Sequence, residues 1–239
     1  MIKGLKLFAA VAVVTCLATS AQAGQIVFQQ MFMGQVTFSS DLQDPMNIDL
    51  PKFDNMGGTR TLLSVDVLIN HSGQVDMRAD NDDPFQGAVV RSRMIRQWLV
   101  MGGGVFQGGG TIITSDPINL GPDDGDGGDN NVFDATGPDG HDFGTISYGP
   151  IKEGPFNPNN GFYDSNGPGI VSFNVTPVLM VNDLQFFDPP GAPDAWQLEV
   201  LNPSMTVKVK VFYNYIPEPA TPGLLGLAGL ALIRSRRRR

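Results

Sequence analysis

Hard oxygen donors crowd one stretch of this 239-residue chain: Asp123, Asp124, Asp126, Asp129, Asn130, Asn131, Asp134, Asp139 and Asp142. Carboxylates and amide carbonyls at that density suit Ca²⁺, and Asp123, Asp124, Asp126, Asp129, Asp139 and Asp142 are its candidate ligands. No EF-hand is present, because no Glu stands at the twelfth position of a loop opened at Asp124 or Asp126. The bias towards Asp also follows from turn content, since its short side chain bonds back to nearby backbone, and Glu occurs only at Glu153, Glu199 and Glu218. A calcium site and a solvated loop are both open readings, and Ca²⁺ is the only cofactor the sequence suggests.

Nucleophilic and acid–base chemistry find less. Gly144-Thr145-Ile146-Ser147-Tyr148-Gly149 places one residue too many before the serine for a G-x-S-x-G elbow. His71 and His141 are the only histidines and do not form a metal-spaced pair. Two carboxylates are the minimum for glycoside hydrolysis, but a single dense stretch gives no separation to read. No catalytic residue is assigned. Aromatics fall in or near loops at Phe156, Phe162, Tyr163, Phe186, Phe187 and Trp196, where they could stack on sugars; Trp196 and Tyr163 are the candidate ligand contacts. Aromatics in an all-β chain also build core, so a lectin-like module and a purely structural one remain alternatives. Arg91, Arg93 and Arg96 suit either a solvated face or a carboxylate site.

The elements that must position these residues read as strands. Residues 24–216 are rich in Gly and Pro, and their apolar runs alternate with polar residues at a period of two. In residues 61–70, Leu63, Val65, Val67 and Ile69 share a face, and His71-Ser72-Gly73 is expected to turn the chain into a short run over 74–79. Residues 87–101 fit helical spacing as well as a strand, and a strand is preferred. Gly102-Gly103-Gly104 and Gly108-Gly109-Gly110, with no following Gly-Lys-Ser/Thr, are expected as turns around a short strand rather than a phosphate loop. Residues 115–163 lose the pattern and are expected to be mostly loop. Strands resume over 169–181, with a bend at Pro177, then over 184–187 and 196–201. The strongest strand is the last, with Val207, Val209, Val211, Tyr213 and Tyr215 on one side and Lys208, Lys210 and Asn214 on the other. The expected fold is all-β, a two-sheet antiparallel β-sandwich with long acidic loops.

Both ends carry processing signals. Residues 1–23 have Lys3 and Lys6, an apolar core and Ala21-Gln22-Ala23, the form of a secretory signal peptide cut between Ala23 and Gly24. Cys16, after Val13-Val14-Thr15, admits a lipoprotein reading, but Thr15 is a poor residue at that position. It is the only cysteine, so the exported chain would hold no disulfide or thiolate metal site. At the other end Pro217-Glu218-Pro219 precedes an uncharged run to Ile233 and then Arg234, Arg236, Arg237, Arg238 and Arg239. As a helix that run reaches roughly 22 Å, short of the about 30 Å hydrocarbon core, so a transient transmembrane helix is expected, with the arginines inside the cell. Between these ends nine basic residues face all 24 acidic ones, a net −15, which argues against a nucleic-acid partner.

The tail, Pro217-Glu218-Pro219 with its apolar run and the Arg236 to Arg239 cluster, resembles the PEP-CTERM sorting signal of exported bacterial proteins. Leu50-Pro51-Lys52-Phe53-Asp54, then Gly57-Gly58-Thr59-Arg60-Thr61-Leu62-Leu63-Ser64-Val65, is similar to the opening of the choice-of-anchor E domain. Gly140-His141-Asp142-Phe143-Gly144 is similar to that family's acidic segment, although Asn55-Met56 is an insertion in its pattern. The resemblance implies three parts: a signal peptide (1–23), an extracellular β domain (24–216) and a sorting signal (217–239). It further implies signal peptidase and an exosortase-type membrane protease as partners, a transient inner-membrane intermediate, and release to the cell surface or outside. Association with exopolysaccharide and biofilm, without enzymatic activity, is the implied role.

Overall fold

The computed structural model describes residues 19–22, 25–125, 133–188 and 190–217. Twelve strands occur among them: β1 (Thr19–Gln22), β2 (Gln25–Phe38), β3 (Met46–Pro51), β4 (Phe53–Asp54), β5 (Arg60–Asp80), β6 (Ala88–Gly102), β7 (Val105–Thr114), β8 (Ile118–Leu120), β9 (Gly140–Phe156), β10 (Asp164–Ser165), β11 (Ile170–Phe186) and β12 (Gln197–Pro217). One sheet runs β1-β2-β12-β5-β9 and the other β3-β11-β6-β7, with β8 also on β6; β4 and β10 form a small parallel pair. The two large sheets are antiparallel and pack as a β-sandwich, as the alternation predicts. Strand β1 lies within the segment expected to be removed as a signal peptide. It sits at a sheet edge, so the pairing of β2, β12, β5 and β9 does not depend on it.

Alternation explains the long strands. In β6, Val90, Met94, Trp98 and Val100 point inward between half-exposed neighbours, so the residues that also fit helical spacing are one face of a strand. The last strand is central, between β2 and β5, and its Val207, Val209, Val211 and Tyr213 are fully buried. Lys208 and Lys210 stand on its outer face and guard no edge. The Leu50-Pro51-Lys52-Phe53-Asp54 stretch closes one end of the core: Leu50 and Phe53 are fully buried, and the Tyr213 hydroxyl donates to Pro51 O at 2.7 Å.

Several sequence expectations are corrected. His71-Ser72-Gly73 does not turn; β5 passes through it unbroken for 21 residues. Gly73 is needed for close approach, since a Cβ there would stand 2.7 Å from the Tyr148 ring and 3.0 Å from Ser204 O. Leu63 is 44% exposed and does not share the face of Val65. A register shift between Asn214 and Tyr215 sets Leu62 opposite Tyr215 instead, where it packs on the core. Gly102-Gly103-Gly104 is a turn, but Gly108-Gly109-Gly110 lies inside β7, where Gly109 leaves room for the Trp98 ring. Residues 115–163 are not loop throughout, because β9 occupies 17 of the 49. It is an edge strand with Ile146 as its one buried residue, so it carries no alternation to read. The runs over 169–181 and 184–187 are one strand, as are those over 196–201 and 207–215. Pro177 and Pro203 fall at or within bulges, where a missing N–H costs no ladder bond.

The core divides into two apolar clusters. One surrounds Phe38, Phe53, Trp98, Phe173 and Tyr213; the other holds Val75, Met77, Met94, Ile146 and Leu184. Between Met94 and Trp98 on β6 lies Arg96, fully buried. Its guanidinium donates to Gln74 O (3.3 Å) and Ser204 O (3.1 Å) of the facing sheet, and to Ile95 O (2.9 Å), Val181 O (3.1 Å) and Asn182 Oδ1 (2.8 Å) of its own. Burial lowers its pKa, with Tyr148 and Asp41 opposing, yet a guanidinium stays protonated. Five acceptors thus replace the water this cation gave up. Arg96→Met keeps much of the side-chain volume but removes every donor. Its unfolding free energy in urea is expected to fall by about 3 kcal/mol, and an unchanged midpoint would contradict the bridging role.

Candidate functional site

The chemistry-bearing residues gather where β5 ends. Asp80, Asn81 and Asp83 are all buried there, and each ties down a different piece of chain. Asn81 Nδ2 donates to Gln86 O at 2.9 Å and Gly121 O at 2.5 Å, while Asn81 N donates to Asp139 O at 3.3 Å. The Asp83 carboxylate accepts from the amides of Phe85, Gln86 and Asp194 at 2.9, 3.1 and 3.0 Å, and these bonds hold its pKa below the usual carboxylate value. Asp83 O accepts from Asp123 N at 2.9 Å, and Asp80 Oδ2 from Asp134 N at 2.8 Å. Four loop segments therefore meet on one short acidic run. Sequence reasoning missed it, although Asp80-Asn81-Asp82-Asp83 directly follows an alternating strand and was the available signal.

Of the candidate calcium ligands, Asp123, Asp124 and Asp139 come together, with one carboxylate oxygen of each within 4.8 Å of the others. Asp139 is 2% exposed; its Oδ2 accepts from Asp124 N at 2.9 Å, and its Oδ1 is buried with no hydrogen-bond partner among the described residues. Asp142 does not join them. It sits opposite Arg78 in the β5–β9 ladder and pairs with that guanidinium at 3.2 Å, its other oxygen accepting from Gly144 N. Asp126 and Asp129 lie outside the described residues.

The ligand candidates separate in the same way. Trp196 is 40% exposed, its ring 5.1 Å from that of Phe186. Tyr163 is fully buried against Tyr213 and Phe173, and burial pushes its hydroxyl pKa well up, so it offers no surface to a sugar. Phe85, 92% exposed, is an aromatic the sequence reading passed over. The arginines also divide: Arg93 pairs with Asp183, Arg91 lies over the Phe187 ring at 5.3 Å, and Arg96 is the buried bridge described above. Pro217 is the last residue of β12, opposite Arg60. Ala23, Gly24, Glu218, Pro219 and Arg236 to Arg239 lie outside the described residues, as does the apolar run. No helix among the described residues is long and apolar enough to cross a membrane.

No family model and no curated protein matches the chain. Among solved structures, the chain is similar to "Structure of infectious bursal disease virus Gt strain" at 12% identity and a TM-score of 0.21, covering 94% of this chain and 56% of that one. It is also similar to the "infectious bursal disease virus VP2 subviral particle", at 12% identity and a TM-score of 0.18, with 95% of this chain and 55% of that one covered. The chain thus spans little more than half the length of these structures, and likeness this low carries no argument about function.

His71, one of the two histidines, lies between the sheets. It is 2% exposed, with its ring 5.2 Å from Trp98 and Nδ1 3.3 Å from the Tyr148 hydroxyl. Burial pushes that hydroxyl to a pKa of about 12 and lowers the imidazole from its ordinary 6.5, with Glu153 opposing the second shift. The native state then binds fewer protons at His71 than the unfolded chain does. Its contribution is complete above pH 6.5 and is lost as the pH falls through the lowered folded value. Carboxylates lowered by hydrogen bonds, such as Asp54 and Asp83, act only nearer their ordinary 3.8 and below. Urea midpoints should therefore decline as the pH drops below 6.5, and His71→Phe should flatten that limb; the same decline in the variant would assign it elsewhere.

Proposed function

We propose that this chain is an exported, non-enzymatic cell-surface or extracellular-matrix protein whose C-terminal segment is handled by an exosortase-type membrane protease. The observation that carries the reading joins sequence to fold. The central strand β12 keeps its ladder pairing to Pro217, the first residue of Pro217-Glu218-Pro219, so no linker separates the folded body from the motif. A protease acting there works against the folded domain, and a membrane-held intermediate keeps that domain close to the bilayer. The position of His71 deep between the sheets supports a non-enzymatic role, because it leaves that imidazole without access to a substrate. Intact-mass analysis of the protein recovered from its host should give a chain starting at Gly24 and ending near Pro219; a product that keeps Arg236 to Arg239 would contradict the sorting role.

A second reading, a carbohydrate-binding module, is favoured by one observation. Gln86 Nε2 donates to Pro190 O at 3.1 Å and Ala192 O at 3.4 Å, tying the loop of exposed Phe85 to the segment that leads into exposed Trp196. Two aromatic surfaces on tethered loops suit stacking on sugar rings. On this reading the purified domain is retained by exopolysaccharide of the host, and Trp196→Ala lowers retention about tenfold or more, a loss of the size expected for a buried aromatic anchor. Equal retention of the variant would leave the structural role standing alone.

A further inference from the structure

At the end of the sandwich where β5 stops, buried carboxylates lack cationic side-chain partners among the described residues. Asp139 is almost wholly buried, and while its Oδ2 accepts one amide, its buried Oδ1 has no hydrogen-bond partner among the described residues. A carboxylate oxygen left in that state costs free energy unless a cation or donor reaches it. Asp80 is 5% exposed, and its Oδ2 likewise accepts one amide, that of Asp134, with the carboxylates of Asp82, Asp134 and Asp139 around it. Among the described residues the ion pairs formed are Arg78 with Asp142, Arg78 with Glu199, and Arg93 with Asp183, so neither Asp80 nor Asp139 has a cationic side chain as partner.

We propose that Asp123, Asp124 and Asp139 bind one divalent cation of the calcium class, with Asp139 as the buried ligand and Asp123 and Asp124 closing the site from the solvent side. Three carboxylate oxygens within 4.8 Å of one another fit around an ion whose oxygen contacts are about 2.3–2.6 Å, since ligands on opposite sides of it stand about 5 Å apart. Calcium is favoured over magnesium by the donor set. Ligands drawn from a loop and from the entry to β9 form no rigid octahedron, and calcium tolerates irregular geometry completed by water. The buried Oδ1 distinguishes this triad from an ordinary acidic surface, because it is an acceptor already withdrawn from water on a side chain that is 2% exposed and lies within ligand distance of two others.

The consequence is mechanical. Asp123 is held to Asp83 through its amide, Gly121 N donates to Pro138 O at 2.7 Å, and Asn81 N donates to Asp139 O, so an ion at the triad fastens two segments, 121–124 and 138–139, to each other and to the end of β5. The exported chain expected from the sequence has no cysteine, so such an ion would take the place of a covalent staple there. The site is independent of the sorting reading and stands or falls by different measurements.

The test uses the full domain stripped with chelator and titrated with calcium chloride, with magnesium chloride as a parallel arm. Calcorimetric binding with one site, and a melting temperature that keeps rising with calcium concentration beyond saturation, are expected. Asp139→Asn and Asp123→Asn should each weaken binding about tenfold or more, while Asp142→Asn should bind as the parent does. If the buried variant fails to fold, the solvent-side Asp123→Asn decides the matter alone. Absence of both heat and thermal shift at millimolar calcium would overturn the proposal, as would unchanged affinity in Asp123→Asn.

Discussion

One buried cation sets the terms for the rest of the sandwich. Arg96 rises from the middle of β6 into the space between the sheets, and its donors are divided between the strands on either side. Apolar side chains alone would have made one continuous core. Instead the interior is split into two clusters by a polar layer containing Arg96 and His71. The local backbone is shaped around that guanidinium. Gly73 carries no Cβ to collide with the Arg96 stem, and the bulge after Leu201 brings Ser204 O within reach. A buried charge without a carboxylate partner is tolerated only when carbonyl dipoles surround it, and here they come from both sheets.

That bridge makes the placement of the acidic end intelligible. Strand β5 runs 21 residues, from the LPKFD side of the core, past Arg96, to Asp80. Its far end would fray if it carried only the smaller cluster. Asp80, Asn81 and Asp83 hold it by collecting the amides and carbonyls of four loop segments, so the polar run does there what apolar packing does at the other end. The price is crowding of like charge around Asp139, which the proposed cation would relieve.

How much of this was legible in the sequence depended on burial on one face. Strands β6 and β12 were readable because one side of each is buried and the other wet, so their alternation survives in the letters. Strand β9 was not, because its edge position leaves Ile146 as its one buried residue and its inward side chains come at no regular interval. Gly73 looked like a turn because a glycine in a strand and a glycine in a turn are the same letter; only the Tyr148 ring and Ser204 carbonyl beside it tell them apart. Of the acidic stretch, Asp123, Asp124 and Asp139 do come together, whereas sequence proximity could not show that the β5–β9 ladder pairs Asp142 with Arg78. Tyr163 was misjudged for a similar reason, since a loop residue next to a short helical turn can still insert its ring into the core.

Two sheets joined through Arg96 should open together, and that is the claim on which the account rests. Native-state amide hydrogen exchange measures it directly, strand by strand. The slowest amides of β5 and β12 in one sheet, and of β6 and β11 in the other, are expected to share one opening free energy equal to that of global unfolding. Exchange of one sheet through a lower-energy opening while the other stays protected would show that the guanidinium does not couple them.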